Sequence, residues 1–338
     1  MSQQLALAVV GCGDIAGYTA MVSRLVREVR LAACCDLDPE RARRFARRHG
    51  VAHVSSRYEE LLTREDVDAV YLAVPHHLHS EMISAAVAAQ KPVLVEKPLT
   101  RTLDEGVAVV ERAARLGVKV GVNYQYRYAR ACHTLARAVQ AGELGRIRSA
   151  RINVPWHREA AYFEGSPWHR TIARAGGGTL ITQGSHFLDV VLWALGSRPV
   201  SAVGYTARPG FEVEVETLAH GVVELADGAL VQISSSMVAA QERAVTIEVY
   251  GDRGTAEYRN RPIPRVRFLG VKPAPWRPPV RGVHALQRSL AGFARWVLKD
   301  EPYLIPAPAA LPVLAAVEAI YRSAGSGRRE EVATLPSL

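Results

Sequence analysis

At 338 residues the chain is long enough for two domains, and its 49% apolar and 22% charged content is that of a folded chain rather than a disordered one. The net charge of +9 invites a nucleic-acid reading, but the arginines are scattered, and the densest group (Arg41, Arg43, Arg44, Arg47, Arg48) falls on one predicted helix. A solvated basic surface suits that distribution better, so no nucleic-acid partner is expected, and no apolar stretch approaches a membrane span.

The first predicted element is the apolar run Leu5–Val10, too short and without the basic flank of a secretion signal. It ends at Gly11-Cys-Gly13-Asp14-Ile15-Ala16, a G-x-G-x-x-A pattern directly after a strand and opening a helix. Gly11 permits the tight turn, Gly13 lets the backbone approach a pyrophosphate, and Ala16 allows close helix–strand packing. The helix amino terminus then offers N–H groups and a favourable dipole to phosphate. The second strand, Leu31–Cys35, ends at Asp36, about twenty residues on, where a ribose-binding acid belongs. Asp38 suits the competing job of capping the helix that starts at Pro39. An acid at Asp36 repels a 2′-phosphate and Leu37 offers it no handle, which favours NAD; the arginines from Arg41 onward keep NADP open.

The four cysteines, Cys12, Cys34, Cys35 and Cys132, have no metal-ligand spacing and read as buried apolar groups in a reducing compartment, hence a cytoplasmic protein. A further strand, Asp68–Val74, breaks at Pro75-His76-His77-Leu78-His79. No added acid or cysteine sits at ligand spacing, so no metal is expected there. A loop over the dinucleotide, running through Val74, Pro75 and His79 into a helix Ser80–Gln90, accounts for it better.

Next comes Lys91-Pro-Val-Leu-Val-Glu96-Lys97-Pro98, the stretch around which the rest is organised. Val93–Val95 reads as a buried parallel strand with an acid and a base at its carboxyl end, the edge where open α/β sheets bind ligands. Lysine occurs only at positions 91, 97, 119, 272 and 299, so one placed there is not filler. A helix Leu103–Leu116 and a strand Val118–Val122 complete a strand–helix rhythm that implies a doubly wound parallel sheet.

Beyond Arg146 the pattern changes. Arg148–Pro155 partly alternates like an antiparallel strand, and the aromatic-rich segment Glu159–Ala175 reads as a long functional loop. Gly176-Gly177-Gly178 opens a helix Thr179–Leu195, on which Thr182, His186 and Asp189 share one face. Asp189 is therefore expected to hold the His186 imidazole. Two hairpins follow, His220–Leu225 with Ala229–Met237, and Ala244–Tyr250 with Thr255–Arg259. The Pro-rich segment Pro262–Pro279 reads as a connector. Helices His284–Leu298 and Ala309–Ser323 are expected to pack back on the first domain.

Together, Gly11-x-Gly13-x-x-Ala16, Asp36, Pro75-x-x-x-His79, Glu96-Lys97-Pro98, Tyr124-Gln125-Tyr126-Arg127-Tyr128 and Gly176-Gly-Gly…His186-x-x-Asp189 resemble the Gfo/Idh/MocA oxidoreductases along essentially the whole chain. The resemblance implies α/β plus α+β architecture: a Rossmann domain (1–123), a substrate and oligomerisation domain with an open, mostly antiparallel sheet (124–305), and a C-terminal helix packing back (306–338). It implies a nicotinamide-dependent sugar, inositol or nucleotide-sugar dehydrogenase or reductase, with Lys97 and His186 at the catalytic positions. Asp189, Thr182, Arg127 and Trp168 are expected to support them or line the substrate cleft. Gly11, Gly13, Asp14, Ile15, Ala16, Asp36, Val74, Pro75, His79, Glu96, Lys97 and Gln125 are expected around the cofactor. In relatives the second sheet packs on another subunit, so a homodimer or homotetramer is expected. The chain departs from the common pattern at Thr182, where many members carry an acid, and at Gln125, where Asn is common. Gln183 matches a subgroup with Gln-Gly before the histidine motif. Two other readings fit the same cofactor site: a glycosidase using transient oxidation by NAD, and a non-catalytic NAD-binding regulator.

Overall fold

The computed structural model describes residues 4–274 and 279–336. Six strands form the first sheet: β1 (Leu5–Val10), β2 (Val29–Cys35), β3 (His53–Ser55), β4 (Ala69–Leu72), β5 (Val93–Val95) and β6 (Val120–Val122). Their order is β3-β2-β1-β4-β5-β6 and every pair is parallel. All six residues of β1 are buried, as are all of β4, β5 and β6. Helices cover both faces, which is why these strands are apolar throughout rather than alternating. The strand order reverses between β1 and β4, the point at whose carboxyl ends open α/β sheets bind ligands.

The second sheet is built from β7 (Ile147–Pro155), β8 (Pro199–Ala207), β9 (Leu218–Leu225), β10 (Leu230–Ser236), β11 (Thr246–Gly251), β12 (Thr255–Arg259), β13 (Arg265–Leu269) and β14 (Glu330–Glu331). It runs β13-β12-β11-β7-β10-β9-β8-β14, antiparallel except for β7 against β10. Both expected hairpins form. The Pro-rich connector holds a strand instead, because Arg265–Leu269 alternates and pairs with β12; residues 275–278 of that segment lie outside the described residues.

Burial alternates along β7, β9 and β10, so one face of this sheet is core. The helix Ser185–Leu195 packs on β7, and the helix Leu311–Ser326 lies along β8. Gly204 and Gly221 are cross-strand partners, and a Cβ on either would stand 2.6 or 2.8 Å from Ile320, so the two glycines make a notch for that helix. The helix expected at Ala309–Ser323 therefore packs mainly on the second sheet, and it meets the first half at the helix Leu103–Leu116. The helix Ala285–Lys299 does pack on the first half, against Asp14–Ser23. Among the described residues no helix is long and apolar enough to cross a membrane.

Candidate active site

β1 runs straight into Gly11, whose φ of +83° is left-handed. A Cβ there would stand 2.3 Å from the Ala73 carbonyl and 3.2 Å from Val74, so the end of β4 dictates this glycine. Gly13 is different. Its φ is −79°, open to any residue, and a Cβ would meet no protein atom within 4 Å. Gly13, Asp14 and Ile15 are exposed, and the helix Asp14–Ser23 starts at Gly13 with no side-chain cap. A bare, uncapped helix start beside a glycine with no internal reason fits a diphosphate.

Asp36 is 8% exposed and faces this turn: its Oδ2 accepts the Cys12 N–H at 2.8 Å and its Oδ1 accepts the Asp38 N–H at 2.9 Å. Asp38 caps the next helix, accepting from Glu40 and Arg41. Arg41 lies 3.6 Å from Asp36 and 3.8 Å from Asp38, so its charge is already engaged by acids, and Leu37 is 86% exposed. This turn suits the ribose hydroxyls of NAD.

At the end of β5 the acid and the base part company. Glu96 turns inward, where its Oε1 accepts from Tyr71 Oη and Asn123 Nδ2, each at 2.6 Å. Tyr71 Oη in turn meets Thr19, and Asn123 Oδ1 accepts from Ser289. Burial pushes the Glu96 carboxyl up, against those hydrogen bonds and the neighbouring Lys97 charge. Through Oε1, Glu96 braces the strand end. Lys97 reaches the other way and donates to the Thr182 carbonyl at 2.5 Å. Burial pulls its pKa down to about 8, with Glu96 opposing and Arg158 assisting.

Thr182 lies in a π-turn, Leu180–Gly184, that leads into the helix Ser185–Leu195. Its hydroxyl donates back to the Gly178 carbonyl at 2.6 Å, so Thr182 presents Lys97 with backbone rather than side chain. The glycine triplet before it is dictated by packing. A Cβ on Gly177 would stand 2.3 Å from Tyr321 Oη, and one on Gly178 only 1.7 Å from the Glu216 carbonyl. The buried Glu216 carboxylate accepts the Gly178 and Leu180 N–H groups at 2.6 and 2.9 Å and the Tyr321 hydroxyl at 2.8 Å. An acid from the segment before β9 therefore anchors the start of the helix that carries His186.

His186 is 7% exposed, edge-on to Tyr124 and Tyr126 with ring centroids 5.9 and 5.2 Å away. Its Nδ1 is buried without a hydrogen-bond partner. Burial first, then the Lys97 charge, holds its pKa well below the ordinary imidazole range. The ring is neutral at physiological pH, not poised near it as its type alone suggests.

Asp189 does not hold that ring. It is fully buried and paired with Arg127, which donates Nη2 to Oδ1 at 2.6 Å and Nε to Oδ2 at 2.8 Å. Arg127 also donates to the Leu304 and Ala309 carbonyls and stacks on Trp193, so it is a strut and lines no cleft. His79 is likewise internal, with its ring nitrogens 2.9 and 3.0 Å from the Pro98 and Val74 carbonyls and none left for a cofactor. His76 turns elsewhere, donating Nδ1–H to the Ala175 carbonyl at 2.7 Å. Among the described residues no group of three or more His, Cys, Asp or Glu is arranged to hold a metal ion.

The segment expected as irregular folds into short turns, Ala160–Glu164, Pro167–Arg170 and Ile172–Ala175. Its rings pack on one another and on neighbouring elements. Trp168 meets His76 edge-on at 4.6 Å, His169 stacks on Tyr162 at 4.5 Å, and Trp156 meets Phe187, the neighbour of His186, at 6.2 Å. Burial first and then, among other causes, the Lys97 charge lowers the pKa of His76, His79, His169 and His186. Gln125 opens the turn Gln125–Tyr128, and its Oε1 is buried without a partner. Trp156, Arg158, Tyr162 and Glu216 were not singled out by sequence; the aromatic density of Glu159–Ala175 is the one nearby signal, and it stops short of Trp156 and Arg158.

Residues 5–124 match the model of an oxidoreductase family with an NAD-binding Rossmann fold, and residues 132–257 match the GFO/IDH/MocA C-terminal domain. An inositol 2-dehydrogenase of Saccharopolyspora erythraea is 31% identical over 277 residues, 80% of this chain and 77% of that protein. The chain belongs to the Gfo/Idh/MocA family of oxidoreductases. Like the family, it is an NAD-binding enzyme of the sugar and inositol dehydrogenase type. The 1,5-anhydro-D-fructose reductase of Ensifer adhaerens is 31% identical over 226 residues, 65% of this chain and 66% of that protein. The same fold is seen in the WlbA dehydrogenase of Bordetella pertussis, solved with NADH and UDP-GlcNAcA. Its TM-score is 0.86 at 24% identity, over 98% of this chain and 100% of that one.

Proposed function

We propose that the chain oxidises a secondary hydroxyl of a sugar, inositol or nucleotide sugar, or reduces the corresponding ketone, with Lys97 and His186 handling the oxygen and its proton. The observation that carries this reading is that the Lys97 ammonium, from the nucleotide half, donates to the carbonyl of Thr182, one helical turn before His186, whose buried ring stands edge-on to Tyr124 and Tyr126. NAD supplies the hydride acceptor at nicotinamide C4. Gly13, Asp14, Ile15 and the helix start behind them would hold its diphosphate, and Asp36 its ribose. Lys97 donates a hydrogen bond to the substrate oxygen and stabilises the negative charge that grows there. His186, neutral and with a free ring nitrogen, takes the hydroxyl proton. Trp168 and the neighbouring rings suit the apolar face of a sugar ring.

We further infer that the first unit ends near residue 123, that the four buried free cysteines fit the cytoplasm, and that the open face of the second sheet pairs copies of the chain. A screen of sugars, inositols and nucleotide sugars for reduction of added NAD tests the reaction. Replacing Lys97 by Met should lower turnover about 10²–10⁴-fold while leaving NAD affinity within about twofold. Turnover unchanged in K97M removes the lysine from catalysis.

A further inference from the structure

We propose that Arg158 reads an anion in the substrate cleft, so that the sugar taken by this site carries a carboxylate or phosphate group. This rests on the redox reading above and goes on to name the substrate class. Arg158 follows β7 on a segment pinned to 237–239: its own N–H donates to the Met237 carbonyl at 2.8 Å, and His157 Nδ1–H donates to the Ala239 carbonyl at 2.8 Å. The guanidinium lies against two rings, its Cζ 5.0 Å from the Trp156 centroid and 5.3 Å from that of Tyr162. Contact with the rings occupies the faces of the fork and leaves its edge donors for an acceptor; one of them, Nη1, goes to the His157 carbonyl at 2.8 Å.

No carboxylate among the described residues lies within ion-pair distance of Arg158, whereas the half-buried Arg101 and Arg295 each have one; Arg112 and Arg288 share its lack of an acid. The two ring partners of Arg158 tie it to the candidate site: Tyr162 stacks on His169 at 4.5 Å, and Trp156 meets Phe187, next to His186, at 6.2 Å; its charge also bears on Lys97. The nearest acid in sequence to Lys97, Glu96, is turned inward and spent on Tyr71 and Asn123. Beside Arg158, the Trp156 Nε1–H is buried with no acceptor. Indole N–H and guanidinium can only donate. A guanidinium without an acid partner and a buried indole N–H without an acceptor, side by side, call for an oxyanion, and a neutral hydroxyl satisfies only part of that demand.

The test compares D-glucose with D-glucuronate and glucose 6-phosphate, and UDP-glucose with UDP-glucuronate, in wild type, R158Q and R158K. Turnover is read from NADH formation, and sugar binding to the NADH complex is read calorimetrically. At least one charged sugar is expected to exceed its neutral counterpart about tenfold or more in kcat/KM. In R158Q that ratio should fall about 10–100-fold, through KM rather than kcat, with R158K keeping part of it. The arm that responds tells carboxylate from monophosphate or diphosphate. R158Q should also move the alkaline limb set by Lys97 to higher pH, since one of the charges acting on it is gone while Glu96 and the imidazoles of His76, His79, His169 and His186 remain. Equal use of charged and neutral sugars, or an equal loss of both in R158Q, overturns the proposal. Arg158-dependent binding without NADH formation upholds it and defeats the redox reading; oxidation of neutral sugars alone does the reverse.

Discussion

Two glycine turns frame this cleft, and they are built for opposite reasons. In the turn after β1, Gly13 has an ordinary backbone angle and open space where a side chain would go. In the turn before the His186 helix, Gly177 and Gly178 are pressed against Tyr321 and Glu216 of the same chain. The first turn keeps room for a guest. The second has none, and its tightness fixes the helix that carries the imidazole. A glycine motif in a sequence therefore speaks of a ligand only after the protein's own claims on that space are subtracted.

Substitutions can break this contrast or sharpen it. The largest effect is expected from G178A, whose methyl would overlap the Glu216 backbone; a loss above about 4 kcal/mol should leave little folded protein in a denaturation assay. A stable G178A would erase the distinction. D189A strands the Arg127 guanidinium in the interior and should cost about 3–5 kcal/mol, read from the urea midpoint.

Smaller changes probe the cleft itself. Lys97 sits near pKa 8 when folded against 10.5 otherwise, so between those values the unfolded chain holds more protons and stability rises with pH. K97M should gain about 1–3 kcal/mol at pH 7 relative to wild type, and that gain should shrink as pH climbs from 8 toward 10.5. On the proposed role of Lys97 as an ammonium, wild-type kcat/KM should fall as pH rises through about 8, with no His186 limb near 6.5. The smallest stability change belongs to G13A, within about 0.5 kcal/mol of wild type, while NAD affinity should drop about tenfold or more by titration. If G13A binds NAD normally, the guest reading of that turn is wrong.

The parts of the fold legible in sequence were those where local chemistry is decisive. An apolar run, two glycines and a distant acid announce the nucleotide turn, and Leu103–Leu116 was readable to the residue because Thr102 caps it and Gly117 ends it. What escaped depends on competition between distant groups. Spacing made Asp189 a partner for His186, yet a guanidinium from the turn after β6 outbids an imidazole for a buried carboxylate. Glu216 lies in a stretch with no period, and nothing local tells that it anchors a helix 36 residues earlier. Prolines at 262 and 264 masked the alternation of β13. Arg158 is one arginine among many, and its lack of an acid partner exists only in three dimensions.

The Arg127–Asp189 fork has a consequence for how a substrate is met. Arg127 belongs to the turn that follows the last strand of the nucleotide half, and Asp189 is nearly one helical turn beyond His186. Two parallel hydrogen bonds set the roll of that helix about its own axis, so the ring is aimed before any sugar arrives. On the proposed role of His186, little of the encounter energy goes into alignment, as with a lock already cut rather than a hand that closes.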